Sequence, residues 1–329
     1  MKEKILITGI TGFVGSHMAD YMLEKGMEVH GLKRWNLSRL RNVRHIMDKV
    51  TWHDCDLTDP VAIREIIKKV KPDRIFHFAA ESFVSPSWQN PSHYMDVNYK
   101  GTVNLFEAVK EAGINPKILM PGSGEEYGEI YESEVPINEN TQIRPVNPYA
   151  VTKIAQDFIS YVYFRSYGMR PIRVRTFNHE GPRRDNVFGL SSYAYQIAKI
   201  EAGKQPPVIK VGHTEDRRNF THIRDIVEAY WTATEKCEVG ELYLIGSEKA
   251  EHIHTFKEAL NKFIALSTYK GKISVEIEPK FVRPTNVPRL IGDISKFRSK
   301  TGWEQKIPFE KILEDTLNYW RDFVKNDRY

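Results

Sequence analysis

Cysteine is all but missing from this 329-residue chain: Cys55 and Cys237 are the whole complement, with no CxxC and no Cys/His cluster. Two thiols so far apart give neither a disulfide framework nor a structural zinc site, and they fit a reducing cytoplasm. Long apolar runs are missing too. No stretch of 18 or more apolar residues occurs, which argues against a membrane-spanning helix. The first residues, MKEKILITG, enter a strand at once and leave no room for a signal peptide. Internal repeats, low-complexity segments and a concentrated basic tract are also lacking. The net charge is +5, and the densest basic spots, KVKPDR and EDRR, each carry acids. Nucleic-acid binding calls for a basic stripe; a few cations used on a small anionic ligand would explain the sign of the charge.

Apolar residues make up 41% of the chain and charged residues 28%, enough for a substantial core in one large domain or two that share an interface. The first 180 residues alternate. KILIT (4–8), MEVHGL (27–32), VTWHD (50–54), RIFHFAA (74–80), KILMP (117–121) and PIRVRTFN (171–178) read as strands. Between them, 13–26, 59–72, 92–113 and 147–168 carry helical spacing. DPVAIREIIKKVKP (59–72) has the acidic start, basic end and closing proline of a helix. Such alternation predicts an α/β fold, a doubly wound parallel sheet covered on both faces. Beyond residue 180 the pattern loosens into polar, Pro-containing segments such as PRRDNVF and KQPPVIKVG, closed by the aromatic-rich helix 309–324. The expected division is residues 1–180 and a smaller lobe, 181–329, with a discontinuous boundary because some later strands return to the first lobe.

Between the first strand and the first helix lies TGITGFVGS, with Gly9, Gly12 and Gly15. This spacing lets backbone approach a diphosphate while the helix N-terminus offers N–H groups and a positive dipole end. The end of the second strand chooses between NAD and NADP: a carboxylate would bind the ribose 2′-hydroxyl, a basic residue the extra phosphate. Here the strand runs into Lys33 and Arg34, then Arg39 and Arg41, with no acid in that stretch. NADP is favoured, with NAD as the alternative, although a basic solvent-facing loop would look the same. Asp56 and Leu57 follow the third strand, where a carboxylate can meet the adenine amino group.

Residues 122–128 read GSGEEYG, putting a hydroxyl and two adjacent glutamates where a strand delivers its C-terminal end. Unpaired carboxylates at a core edge are unfavourable unless solvated, paired or used. Further on, Tyr149 and Lys153 stand four apart in NPYAVTK, on one face of a helix. A neighbouring ammonium stabilises a phenolate, so this tyrosine could exchange a proton with a sugar hydroxyl near neutral pH.

With these motifs in order, the chain resembles the extended short-chain dehydrogenase/reductase family nearly end to end. TGITGFVGS, FHFAAESFVSPSW, NYKGTVNLFEAV, GSGEEYG, NPYAVTK, RTFNHEGPRR, RRNFTHIRD and RPTNVPRLIGD all fall in the family's order. Within it the chain looks most like GDP-mannose 4,6-dehydratases and their sister GDP-4-keto-6-deoxymannose reductases. The resemblance implies a Rossmann-type N-terminal lobe, a C-terminal nucleotide-sugar lobe and a homodimer or homotetramer. It implies Tyr149 as base, Lys153 as its partner and a ribose ligand, Ser123 on the sugar 4-hydroxyl, and Glu125 as the dehydratase glutamate. Cofactor contacts are implied for Gly9, Thr11, Gly12, Phe13, Val14, Gly15, Lys33, Arg34, Asp56, Leu57, Ala79, Ala80, Asn98, Tyr149 and Lys153. Ser82, Ser85 and Glu126 become sugar-side contacts, and Asn178, Arg183, Arg218 and Arg283 nucleotide and diphosphate contacts.

The dehydratase reading uses both halves of the motif. Oxidation at C4 acidifies C5–H, and Glu125 then removes that proton and helps expel the 6-hydroxyl. A reductase would need only Ser123, Tyr149 and Lys153, and GSGEEYG is at least as similar to the reductase version. An epimerase, a dehydratase of another nucleotide sugar, or a non-catalytic NADP-sensing regulator remain alternatives, since fold never proves activity.

Overall fold

The computed structural model describes residues 2–326. Its centre is a seven-stranded parallel sheet. Six strands come from the first 180 residues: β1 (Lys4–Thr8), β2 (Glu28–Lys33), β3 (Thr51–Asp54), β4 (Arg74–His77), β5 (Lys117–Ser123) and β6 (Arg170–Thr176). A seventh, Leu242–Ile245, returns from the C-terminal half to pair with β6, so the spatial order is Leu242–Ile245, β6, β5, β4, β1, β2, β3. The order reverses between β4 and β1, which creates a crevice at the carboxyl ends of these strands.

The helices of the first half fall where the spacing predicts them: α1 (Phe13–Glu24), α2 (Pro60–Val70), α3 (Pro91–Met95), α4 (Gly101–Glu111) and α5 (Pro148–Tyr167); α6 (Gly189–Glu201) follows beyond residue 180. Local chemistry fixes their ends. Asp59 accepts the backbone N–H groups of Val61 and Ala62 at 2.9 and 3.2 Å, Pro60 opens α2, and Lys68 and Lys69 occupy its last turn. Asn147 caps α5 through Ala150 N–H at 2.8 Å, and Gly168, at φ +63°, ends it.

Two elements depart from expectation. The strand expected over 74–80 stops at His77, because Phe78–Ala80 swings out to pass the end of β1, where Ala79 N–H donates to Thr8 Oγ1 at 3.1 Å. The helix expected over 92–113 is interrupted by a π-turn at Asp96–Lys100, and Asn98 within it points inward to hold Glu81 and Thr152.

Packing divides into three main clusters. On one face of the sheet, Met18, Ala19 and Met22 of α1 meet Ile226, Ala229 and Tyr230 of the helix Ile223–Lys236. On the other, Ile63 and Ile67 of α2 meet Leu105, Phe106 and Val109 of α4. The third lies away from the sheet, where Leu190, Tyr193 and Ile197 of α6 pack on Leu313, Leu317 and Trp320 of the helix Phe309–Lys325. α5 inverts the usual polarity. Its buried stripe is Tyr149, Lys153, Gln156, Asp157 and Ser160, while Val151, Phe158, Tyr161, Val162 and Tyr167 are exposed.

Two buried histidines are held neutral. Thr102 Oγ1 donates to Asn98 O, so His77 Nε2 must donate to Thr102 (3.0 Å) and His77 Nδ1 must accept from Thr8 Oγ1 (2.9 Å). His222 Nδ1 accepts Arg224 N–H at 3.0 Å as the cap of helix Ile223–Lys236. Burial pushes their pKa values down from 6.5, to about 3 for His77 and about 4 for His222. Below 6.5 the unfolded chain binds protons that the folded chain refuses, so stability should fall as pH drops from 6.5 towards 4. The expected slope is about 1.4 kcal/mol per pH unit for each histidine. Buried Glu126 and Glu180, whose pKa values burial raises to about 7, act with the opposite sign. Denaturant unfolding from about pH 4.5 to 7.5 is therefore compared between wild type and His222→Asn, which keeps a capping side chain. Identical slopes in the two would contradict the neutral assignment of His222.

Candidate active site

A cavity of about 700 Å³ opens at the carboxyl ends of β1–β6, and its wall is built from the segments that follow them. Its floor at one end is the glycine turn. Gly9 sits at φ +67°, and a Cβ there would lie 2.6 Å from Ala79 N; a Cβ on Gly15 would lie 2.3 Å from Gly9 O. Both positions are closed to any side chain. Gly12 is the N-cap of α1 and brings no side-chain cap, so that helix end keeps N–H groups for a ligand. Thr11, Phe13 and Val14 line the same wall, as do Ala79, Ala80 and Ser82 after β4.

Arg34, Ser38, Arg39, Arg41 and Asn42 line the cavity together with Asp56 and Leu57, past the ends of the adjacent strands β2 and β3. Lys33 is not among them. Its ammonium pairs with Asp54, which stands beside it in the β2–β3 register. The basic pole therefore starts at Arg34, whose N–H donates to Ser38 Oγ at 2.8 Å. Arg41 is tied to Asp185 at 2.9 Å, joining this loop to the segment that carries Arg183 and Arg184.

The other end gathers the proton-handling groups. β5 runs two residues past the expected KILMP and ends at Ser123, whose Oγ accepts Glu125 N–H at 3.2 Å as cap of a short 3₁₀ turn, Gly124–Tyr127. Tyr149 comes to this hydroxyl from α5. Burial raises its pKa, while the hydrogen bond with Ser123 and the Arg184 guanidinium draw it down. Lys153, one turn along, donates to Pro121 O at 2.5 Å and to Gln156 Oε1. Burial lowers its pKa, and Glu126 and Asp157 oppose that.

The Glu125 side chain lines the cavity, 16% exposed. Its Oε2 accepts from Asn147 Nδ2 at 3.0 Å, and its Oε1 stands 3.8 Å from Arg283 Nη1. Asn147 so does two jobs, capping α5 with its carbonyl oxygen and holding Glu125 with its amide nitrogen.

Five expected contacts lie elsewhere. Glu126 is fully buried under the turn, on Ser123 N–H and Arg175, because successive residues of a 3₁₀ turn diverge by about a third of a revolution. Asn98 serves Glu81 and Thr152 behind the wall. Ser85 opens a separate short turn, Ser85–Trp88, outside the lining. Arg218 is buried behind Arg283, bonded to Arg217 O at 3.0 Å and 3.8 Å from Asp216. Lys33 is the fifth. Asn178, Arg183 and Arg283 do line the cavity, with Arg183 at φ +71° and donating to Asp20 at 2.7 Å.

The wall also contains residues that the sequence reading passed over: Arg184, Phe188, His179 and Asn42. Arg184 lies 3.9 Å from the Phe188 ring centroid, and the doubled arginine in PRR was the available signal. Asn147 could have been found from Asn-Pro at a helix start. Among the described residues, no group of three or more His, Cys, Asp or Glu could hold a metal ion.

The GDP-mannose 4,6 dehydratase family model matches residues 6–316. GDP-mannose 4,6 dehydratase 1 of Arabidopsis thaliana is 32% identical over 98% of this chain and 91% of its own length. A GDP-mannose 4,6-dehydratase of Sordaria araneosa is 30% identical over 99% of this chain, which spans 62% of that longer protein. Among solved structures, dTDP-glucose 4,6-dehydratase from Bacillus anthracis in complex with NAD is similar at TM-score 0.84 and 26% identity, over 99% of this chain and 98% of that one. RMD from Pseudomonas aeruginosa complexed with NADPH is similar at TM-score 0.82 and 25% identity, over 98% and 99%. With a parallel sheet, a glycine turn and a Ser–Tyr–Lys end in one crevice, and a family match over nearly its whole length, the chain belongs to the GDP-mannose 4,6-dehydratase family of extended short-chain dehydrogenases/reductases.

Proposed function

We propose that the protein converts GDP-mannose to GDP-4-keto-6-deoxymannose, with NADP as its retained coenzyme and NAD as the alternative. The observation that carries this reading is the Glu125 carboxylate, which turns into the cavity shared by Ser123 and Tyr149. The lining suits the coenzyme: Gly9, Gly12 and Gly15 present backbone to the cavity beside the α1 N-terminus, whose first N–H groups have no side-chain cap. Gly9, Thr11, Gly12, Phe13, Val14 and Gly15 would hold its diphosphate, Arg34 with Ser38 and Arg39 the 2′-phosphate, and Asp56 and Leu57 the adenine. Ala79 and Ala80 would flank it, with Tyr149 and Lys153 at the nicotinamide ribose. Bound there, the coenzyme would supply the hydride acceptance at C4 and hydride return at C6 that the reaction needs.

The chain's own residues move the protons. Tyr149 accepts the 4-hydroxyl proton while Ser123 hydrogen-bonds the same oxygen. The 4-ketone makes C5–H acidic; Glu125 removes that proton, and the C5–C6 double bond forms as the 6-hydroxyl leaves, protonated by Glu125, as water. The proton that Tyr149 took from the 4-hydroxyl then goes to C5 as hydride returns to C6, which restores Tyr149 for the next turnover. Asn147 keeps the carboxylate aimed at the sugar throughout. Arg283, Arg183 and Asn178 are offered to the nucleotide diphosphate, where guanidinium forks suit phosphate oxygens.

The division of labour follows the packing. Residues 1–180, with the returning strand Leu242–Ile245, form the coenzyme lobe, and most of 181–329, around α6 and helix Phe309–Lys325, forms the nucleotide-sugar lobe. The exposed apolar residues of α5, Val151, Phe158 and Val162, are the face for a second copy in a homodimer or homotetramer. Among the described residues no helix is long and apolar enough to cross a membrane, and the two buried free thiols, Cys55 and Cys237, suit the cytoplasm.

Purified protein given GDP-mannose without added coenzyme should release the 4-keto-6-deoxy sugar nucleotide, detected by mass spectrometry. Turnover only with the keto sugar and NADPH would make it the sister reductase instead. Glu125→Gln should lower kcat for dehydration by about 10²–10⁴-fold with GDP-mannose binding retained; unchanged dehydration removes Glu125 from the mechanism. Arg34→Ala should weaken NADP relative to NAD by about tenfold or more, the weight of one charge-assisted hydrogen bond. Lys33→Ala should leave that ratio almost unchanged, and the reverse pattern in binding titrations would overturn the assignment.

A further inference from the structure

Glu126 is a carboxyl group shut away from the surface. It is fully buried, and both its oxygens accept N–H donors: Oε1 from Ser123 N at 2.7 Å, Oε2 from Arg175 Nε at 2.7 Å. Both contacts use the oxygens as acceptors, the role a carboxylate plays toward a guanidinium. Burial pushes its pKa up, and Arg175 opposes that. An apolar residue would fill the same space without the desolvation of a charge. The useful question is what the charge does that an apolar residue would not.

Its bonds link the parts that carry the chemistry. Arg175, on β6, also donates Nη2 to Asp157 Oδ2 at 2.6 Å. Asp157 lies on α5, one turn beyond Lys153 and two beyond Tyr149, on the same buried stripe. The chain Ser123 N–H, Glu126, Arg175, Asp157 therefore runs from the turn that bears Ser123 and Glu125 to the helix that bears Tyr149 and Lys153. The backbone makes room for it: a Cβ on Gly122 would stand 2.3 Å from Glu126 Oε1. Ser123 N–H is the innermost link, and the hydroxyl on the same residue meets the Tyr149 phenol.

We propose that Glu126, seated on Arg175, is a positioning residue: it holds the Ser123 amide and so sets where the Ser123 hydroxyl and the Glu125 carboxylate stand relative to Tyr149. The inference rests on the dehydratase reading only for the reaction in which its effect is measured. Glu126 touches neither substrate nor coenzyme, so its loss should appear in kcat and leave KM alone.

Glu126→Leu by itself leaves Arg175 Nε without its partner in a buried site and the guanidinium with Asp157 alone, a change that also costs stability. The test therefore compares two double variants of the coenzyme-loaded enzyme. Both remove the ion pair through Arg175→Met; Glu126→Gln keeps a carbonyl oxygen for Ser123 N–H, and Glu126→Leu does not. The Leu pair should show kcat about tenfold or more below the Gln pair, with KM for GDP-mannose and the thermal midpoint similar in the two. Equal kcat values overturn the proposal, as does a kcat loss matched by a rise in KM or a fall in thermal midpoint, which would mark a structural role. If the wild type makes no 4-keto-6-deoxy product, the dehydratase reading fails while this one stays testable. Backbone amide exchange at Ser123, read by NMR on the coenzyme-loaded protein, should then be faster in the Leu pair than in the Gln pair, and equal rates overturn it.

Discussion

The site depends on a polar stripe buried along one helix. Tyr149, Lys153, Gln156, Asp157 and Ser160 face inward on α5, and polar groups removed from water must find partners within the protein. They find them on three neighbours: Pro121 at the end of β5, Thr102 on α4, and Arg175 on β6. Those bonds dictate how the helix lies against the sheet. Tyr149 arrives at the Ser123 hydroxyl because the residues below it on the same stripe can be satisfied in only one register.

The crevice itself comes from topology. Strand order turns back between β4 and β1, so chains leaving these two strands part and expose the ends of both. Thr8 bonds the departing Ala79, and the absence of a side chain at Gly9 lets the two segments nearly touch. One wall of the cavity is thereby backbone, suited to a diphosphate, and the opposite wall is acid–base side chains. Basic residues sit at the outer end, where Arg34 and Arg39 line the cavity and Arg41 is tied to Asp185.

Much of this was legible in the sequence because it is local. Strand-helix alternation, the glycine spacing, the acidic start and basic end of 59–72 and the four-residue step from Tyr149 to Lys153 each involve neighbours along the chain. What stayed hidden depends on partners from distant segments. Lys33 looked unopposed until β3 brought Asp54 alongside it. Glu125 and Glu126 are indistinguishable as letters, and only a tight turn sends one to the cavity and the other to Arg175. Asn98 carries plausible chemistry, but its side-chain amide is used up on Glu81 and Thr152 behind the wall, and Arg218 is buried outside the cavity lining with Nη1 on Arg217 O. The inverted polarity of α5 was likewise invisible to periodicity, which reports an amphipathic helix without saying which face is inside.

Asn147 ties two of these threads together. One side-chain amide starts the helix that delivers the phenol and steadies the carboxylate across from it. The two proton carriers are thus both referred to one planar amide, through the first turn of α5 on one side and a 3.0 Å hydrogen bond on the other. Any lineage that retunes one by moving it must move the other, so acid and base are constrained to drift as a unit.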